Sequence, residues 1–474
     1  MNQCPLIVDL DGTLLRSDML FETWLSFAKD EPLRALMPFV WVFKGKPFLK
    51  ARLAEESKLD VSALPYNQNV LTMIATARDE GREVVLATAT HRRYADRIAE
   101  HLGVFDDVIA TEHDINLSAH RKKAALVARY GENGFDYVGN AIDDIAVWAA
   151  ARQVHIVEPH RGVVRRARAA GAIASVTADA PAAIGTWARA LRLHQWIKNL
   201  LIFVPLLASH QFADIPLILT GILAFFAFGL CASSVYLLND LLDLADDRQH
   251  ATKRKRPFAA GILEIKHGLM AIVLLLLGAF GIALSLLPTA FSVALAGYYI
   301  ATLLYSLWLK RQMMIDVVTL AMLYTSRIIA GALAFATDLT FWMLAFSMFI
   351  FLSLALVKRY AELRQARSQG KSEKTRGRGY FPNDLEIVSS LGAASGYISV
   401  MVLALYIQEQ TIAAMYRRPE ILWLSCPLLL YWISRTWMLT HRGVMNDDPI
   451  VFAVKDRVSL IVGVLFGAIF LLAY

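Results

Sequence analysis

From about residue 190 onward the chain is a succession of apolar blocks, each roughly 17–23 residues long, the length that crosses a bilayer as helix. Nine are readable, near 199–214, 217–238, 267–287, 289–309, 314–336, 339–357, 388–408, 420–439 and 457–474. The first is the weakest, because NLLIFVPLLASHQF is short and carries a proline. Residues 1 to about 190 read instead as an ordinary soluble protein, so the 474 residues hold more than one domain.

The segments joining the blocks alternate in charge. Those before the first block and after the second, fourth, sixth and eighth contain RRARAAG, KRKRP, KR, KRYAELRQARSQGKSEKTRGR and THRGVMNDDPIVFAVKDR. The opposite segments, apart from YRRPE, hold almost no Lys or Arg. The positive-inside tendency then places the soluble half and the basic loops on the cytoplasmic side of a bacterial inner membrane, with the C-terminus outside after nine spans. The net charge of +7 comes largely from these loops, which suits anionic lipid or phosphate ligands and makes nucleic acid a poor partner. Cys4, Cys231 and Cys426 are scattered and form neither a disulfide framework nor a zinc site. The N-terminus runs straight into a strand, with no signal peptide expected.

That strand, CPLIVDLDGTLL, ends in Asp9, Leu10, Asp11, Gly12 and Thr13. Carboxylates two residues apart at a strand end point the same way, because strand side chains have period two. A strand followed by a polar turn explains this much alone. Three later segments add to it. EVVLATAT is a strand ending in Thr88 and Thr90; NLSAHRKKAALVARYG puts Lys122 and Lys123 at a helix start; FDYVGNAIDDIAVW is a strand opening into Asn140, Asp143 and Asp144. Strand–helix alternation implies a parallel sheet with function at the carboxyl ends of its strands.

In order, Asp, Thr, Lys and Asp resemble the four motifs of the haloacid dehalogenase (HAD) phosphatase superfamily, over residues 1–180. The resemblance implies an α/β, Rossmannoid fold with a helical cap at about 16–75. It makes Asp9 the nucleophile, Asp11 the general acid and base, and Thr88 a hydrogen-bond donor to the phosphoryl group, with Thr90 as the substitute. Lys122 neutralises charge, and Mg²⁺ sits on Asp9, a backbone carbonyl, Asp144 and water. Asn140 stands where the family has its first acidic ligand, so its part in holding the metal is open. Within the cap, LRALMPFVWVFKGKPFLK reads either as helix core or as a surface that dips toward the membrane.

The second block runs without a break into NDLLDLADDRQHATKRKRP, residues 239–257. Asn239, Asp243 and Asp247 fall at i, i+4 and i+8 and share a helical face, with Asp240 beside them. Uncompensated, this face repels itself; with Mg²⁺ it becomes a diphosphate site. The pattern resembles the UbiA superfamily of membrane prenyltransferases, all-helical bundles of about nine spans, here expected over 199–474 after a linker at 181–198. Most members use a second acidic motif after the sixth span. This chain has Lys358 and Arg359 there, with Glu362 the nearby acid.

Three stretches, LRLHQWIKNLLIFVP, DRQHATKRKRPFAAG and DVVTLAMLYTSRIIAGALA, resemble the decaprenyl-phosphate phosphoribosyltransferase branch of that superfamily. The resemblance implies phosphoribosyl diphosphate and polyprenyl phosphate as substrates. It assigns their phosphates to Lys198, Lys253, Arg254, Arg256, Arg327, Lys358 and Arg359. Interfacial snorkelling is the plainer account of each basic residue singly. Arg327 differs, since it lies well inside an apolar span. Asp316 is its nearest sequence partner, but eleven residues of helix separate them by about 16 Å. Asp447, Asp448, Lys455, Asp456 and Arg457 return charge to the same face without an assigned role.

Three other readings compete: transfer of a prenyl group from prenyl diphosphate to an aromatic acceptor, a transporter or lipid-binding scaffold, and an inert HAD domain used for docking. An acid motif at a helix end argues against a transporter, whose sites lie near the midplane in broken helices.

Overall fold

The computed structural model describes residues 4–112, 117, 119–160, 162–170, 173–178, 183–250, 252–370, 379–409, 415–445 and 448–474. It divides into two units, Met1–Leu191 with Tyr236–Ile272, and Arg192–Val235 with Val273–Tyr474.

In the first unit, six parallel strands lie in the order β3-β2-β1-β4-β5-β6. They are β1 (Leu6–Val8), β2 (Val84–His91), β3 (Asp107–Thr111), β4 (Asp136–Gly139), β5 (Gln153–Val157) and β6 (Ile173–Thr177). The central strands are apolar runs buried on both faces, as a parallel sheet requires. Period two sorts them: Leu6, Val8, Val84 and Leu86 enter one core, while Ile7, Val85 and Ala87 enter the other with Tyr137, Trp148 and Ile156. Val8 is in register with both Leu86 and Val138. The chain turns one way from β1 to β2 and the other way to β4, so a crevice opens at the carboxyl end of β1.

Four α-helices lie between β1 and β2, and the first three, Met19–Asp30, Met37–Val42 and Lys46–Glu56, pack around Phe27, Trp41, Leu49 and Leu53. The insert is narrower than 16–75, because Gln68–Asp79 gives Val70, Ile74 and Ala77 to the sheet's own core. The apolar stretch of the cap is mostly not core. Trp41 is buried, but Leu33 and Phe43 are 90% and 91% exposed, and Phe39 and Val40 more than half.

Among the described residues, six helices are long and apolar enough to span a membrane: Ile215–Leu242, Ile265–Leu286, Thr289–Leu307, Ile315–Phe335, Phe341–Ser368 and Pro382–Gln408. A seventh span counts if Pro449–Lys455 and Arg457–Ala473, bent by 86°, act as one. Nine continuous spans are therefore not found among the described residues. Segment 199–214 is divided: a 3₁₀ stretch, Leu193–Phe203, gives way to the short helix Val204–Ala208, which has Pro205 in its first turn. Segment 420–439 becomes Ser425–His441, whose 17 residues reach only about 26 Å. Of these six, Ile315–Phe335 is the most enclosed, and Gly331 lets Ile202 approach it: a Cβ there would meet the Ile202 carbonyl oxygen at 2.0 Å.

Candidate functional site

At the crevice, the Asp9 N–H continues the ladder to the Val138 carbonyl at 3.0 Å. Asp11 accepts the Met19 N–H and the Thr90 hydroxyl, both at 2.8 Å. Gly12 turns at φ +76°, and a Cβ there would stand 2.2 Å from Asn140 Nδ2, so only glycine fits. Lys122, at the start of Ala119–Tyr130, donates to Asp9 at 2.6 Å and to the Tyr137 hydroxyl at 2.9 Å. Tyr137 donates to Asp144 at 3.0 Å, and the Asn140 and Ala141 N–H groups donate to the same carboxylate at 3.0 and 2.9 Å. Asp9, Asp11, Lys122, Asn140 and Asp144 thus line one cleft.

Thr88 departs from its expected place. Its hydroxyl is fully buried and accepts the Thr90 N–H at 2.9 Å, while Thr90 lines the cleft. Both share one strand face, and the strand end carries the second to the wall. Sequence reasoning missed Lys50, which enters from the cap and donates to the Ala89 carbonyl at 2.6 Å. It also missed Tyr137, whose hydroxyl joins Lys122 to Asp144 and which sits on the same motif strand.

Burial pushes the Asp9 carboxyl up to about 7; Lys122 opposes this, while Asp144 and Asp11 add repulsion. Burial and Asp18 push Asp11 up to about 6. An acid of that strength is suited to protonating a leaving oxygen near neutrality. A divalent cation beside Asp9 favours its ionised, nucleophilic form. Among the described residues no three His, Cys, Asp or Glu side chains form a ready metal cage. Asn140 Oδ1, however, is buried without a hydrogen-bond partner. An unsatisfied oxygen in the wall that carries Asp9 and Asp144 fits a hard cation with a mixed carboxylate and amide set.

The acid motif also lies in the first unit. The helix ends at Leu242 and a second, Leu244–Gln249, follows, so the four acid-motif residues do not lie on one uninterrupted helix. Backbone bonds from Asp243 to Asn239 (2.9 Å) and Asp247 to Asp243 (2.8 Å) carry helical spacing across the break. Asp240 and Asp247 are buried and share one cation: Arg256 Nη1 lies 3.0 Å from the first and 2.6 Å from the second. Arg256, expected on a substrate phosphate, here neutralises the acids. The place it fills suits a divalent cation with two carboxylate ligands. Asn239 and Asp243 are half-buried, and Lys253 and Arg254 are exposed.

In the second unit Asp448 is a focus. Lys198 Nζ lies 2.6 Å and Lys358 Nζ 3.5 Å from its carboxylate, and the Tyr324 hydroxyl donates to it at 3.1 Å. Arg327 donates to Asn199 at 3.1 Å and to the Tyr298 hydroxyl at 2.9 Å, and also to the Leu323 carbonyl. Its guanidinium lies 5.8 Å from the Tyr324 ring centre, and Lys198 lies 5.3 Å from the same ring. Lys198, Lys358 and Arg327 therefore gather about Tyr324. Asp447 lies outside the described residues.

Arg359 does not join them. It is 1% exposed, and its Nη2 lies 2.6 Å from Asp316 Oδ2, off the hydrogen-bond axis, with Glu362 as a second partner. Asp316 also accepts the Tyr380 hydroxyl at 2.6 Å. Arg359 is a structural counter-ion, and Asp316 belongs to it rather than to Arg327. Arg359→Ala leaves a buried carboxylate unpaired, with an expected cost of about 3–5 kcal/mol, whereas replacing both residues by apolar ones costs far less. Thermal unfolding of the two variants in detergent checks the difference.

Residues 200–461 match the UbiA prenyltransferase family, and residues 6–157 match haloacid dehalogenase-like hydrolases. The uncharacterized protein y4nM of Sinorhizobium fredii is 37% identical over 471 residues, covering 99% of this chain and 91% of that one. Nodulation protein NoeC of Azorhizobium caulinodans is 38% identical, over 60% of this chain and 93% of that protein. The decaprenyl-phosphate phosphoribosyltransferase of Mycolicibacterium smegmatis is 30% identical, over 57% of this chain and 86% of that enzyme. A solved UbiA homolog from Archaeoglobus fulgidus, bound to DMAPP and Mg²⁺, aligns at 16% identity with a TM-score of 0.46, over 60% of this chain and 97% of that one. The chain belongs to the UbiA prenyltransferase family and carries a haloacid dehalogenase-like hydrolase domain ahead of its helical region.

Proposed function

We propose that this protein transfers a phosphoribosyl group from phosphoribosyl diphosphate to polyprenyl phosphate, and that its first domain then removes the 5-phosphate of the product. The observation that carries the reading is the gathering of Lys198, Lys358 and Arg327 around Tyr324 and one carboxylate, Asp448. Where most of the family has a second acidic motif, a surplus of cations suits substrates with several phosphates. The 30% identity to an enzyme named for this reaction supports it.

In the transfer, a lipid phosphate oxygen forms a bond to the anomeric carbon and the diphosphate leaves. Mg²⁺ at Asp240, Asp243 and Asp247, with Asn239 beside them, would neutralise the departing charge. Lys198, Lys358 and Arg327 hold and orient phosphate groups. In the hydrolysis, Asp9 attacks phosphorus while Asp11 gives its proton to the leaving sugar oxygen. Asp11 then takes a proton from water, which releases phosphate from Asp9. Lys122 offsets charge throughout. The basic loops argue for a cytoplasmic first domain. The exposed Leu33, Phe39, Val40 and Phe43, flanked by Arg34 and Lys44, suit contact with a lipid interface.

Purified protein should move radiolabel from phosphoribosyl diphosphate into the organic phase when polyprenyl phosphate is present. Label entering only from prenyl diphosphate, with an aromatic acceptor, assigns the protein to aromatic prenylation instead.

A further inference from the structure

The cleft over Asp9 and Asp11 has a volume of about 1430 Å³. Ordinary small-molecule sites run to roughly 300–1,000 Å³, so this one has room for more than a sugar phosphate. Three parts of the first unit form its walls: the strand ends, the cap residues Lys46, Leu49 and Lys50, and residues 261–267, just beyond the acid motif. That last segment does not belong to the hydrolase domain by sequence, yet it faces the same cavity.

Several contacts hold it there. Arg248 donates to both carboxylate oxygens of Glu22 in the cap, at 2.6 and 3.1 Å, with both side chains buried. Lys29 pairs with Asp246 at 2.7 Å, and Gln249 donates to Asp60 at 3.3 Å. The Trp187 and Phe258 rings meet edge-on at 6.4 Å. At Gly261, with φ +70°, a Cβ would stand 2.7 Å from Arg16 Cβ, so glycine lets the segment close on the loop after β1. A bidentate, buried ion pair is costly to break, which makes this wall a fixed part of the cleft.

The wall brings positive charge. Lys266 and His267 line the cavity, as do Lys46 and Lys50 of the cap. Besides Asp9, Asp11 and Asp144, the cleft carries the acids Asp18, Asp143, Glu158 and Glu264; Glu264 takes Lys266 at 2.5 Å, with both side chains about 43% exposed, and lies 3.9 Å from His267. Exposed pairs of this kind are weak, and a doubly charged phosphate competes for the lysine.

We propose that residues 261–267 complete the phosphatase site by adding a second anion subsite. Lys266 and His267, together with Lys46 and Lys50 of the same cavity, bind a second phosphate group of the substrate while Asp9 attacks the monoester. The substrate class is a sugar phosphomonoester that carries another phosphate, either free or as the phosphodiester of a lipid. This rests on the reading of the first domain as a phosphatase, but not on the identity of the transferase donor.

The test uses the full-length protein in detergent with three substrates: ribose 5-phosphate, ribose 1,5-bisphosphate, and synthetic farnesyl-phosphoryl ribose 5-phosphate. Wild type should prefer at least one of the latter two over ribose 5-phosphate by about tenfold or more in kcat/KM. Preference for the bisphosphate marks a free phosphate as sufficient; preference for the farnesyl compound alone marks the lipid diester. Lys266→Ala/His267→Ala, and independently Lys266→Glu, should collapse that preference about tenfold, and Lys266→Arg should restore most of it. Equal use of all three substrates by wild type, or a preference that survives both variants, overturns the subsite. No hydrolysis of any of the three also overturns it, together with the phosphatase reading. Label transfer from phosphoribosyl diphosphate, measured separately, reports on the transferase alone.

Discussion

Replacing Asp9 by Asn should lower phosphomonoester hydrolysis by about four orders of magnitude, while the protein still transfers ribosyl label. Asn preserves the shape of the side chain but cannot attack phosphorus as a carboxylate does. It also leaves Lys122 without the charge that it meets at 2.6 Å. Transfer should be insensitive, because Asp240 and Asp247 belong to a separate acid cluster that pairs with Arg256, whereas Asp9 pairs with Lys122. Initial rates on p-nitrophenyl phosphate, with melting curves to show that the variant is folded, provide the check. Residual hydrolysis within tenfold of wild type would mean that another group is the nucleophile.

The second large effect is at the acid motif. Asp240→Ala or Asp243→Ala should reduce transfer by about 10²–10³-fold or more, as loss of a preorganised electrostatic contact to a leaving group does. Asp240 is buried and shares Arg256 Nη1 with Asp247, so its removal takes away one of two carboxylates at the cation position. Asp243 stands one helical turn on, half-buried, with Lys29 at 4.0 Å. Transfer rates across a Mg²⁺ titration decide the matter. Full activity in both variants at saturating Mg²⁺ would remove this helix end from the reaction.

Asp9 and Asp11 were legible because strand side chains alternate, and two carboxylates spaced by one residue must share a face. Lys122 and Asp144 were legible through their motifs, and the structure brings both to Asp9. Thr88 and Thr90 were not separable, since they have the same parity and only the strand end decides which one reaches the cleft. Arg359 reads as a phosphate ligand until Asp316, 43 residues earlier, is seen beside it. Asp448 carried no signal of its own, because its partner Lys198 is 250 residues away. Arg248 and Glu22, 226 residues apart, were hidden for the same reason. The count of nine spans is not confirmed among the described residues, because hydropathy counts residues but not continuity: Pro205 divides one block, and the eighth shortens to Ser425–His441.

The most direct measurement is a mass spectrum of the lipids formed when purified wild type and Asp9→Asn receive phosphoribosyl diphosphate, polyprenyl phosphate and Mg²⁺. Wild type should yield polyprenyl-phosphoryl ribose without a 5-phosphate, and Asp9→Asn should accumulate the form that retains it. On the proposed reading, a tethered phosphatase would meet its neighbour's product at a local concentration in the millimolar range for a short linker, so the phosphorylated lipid should be scarce in wild type. No ribosylated lipid from either protein contradicts the transfer. The same lipid from both contradicts the coupling of the two activities.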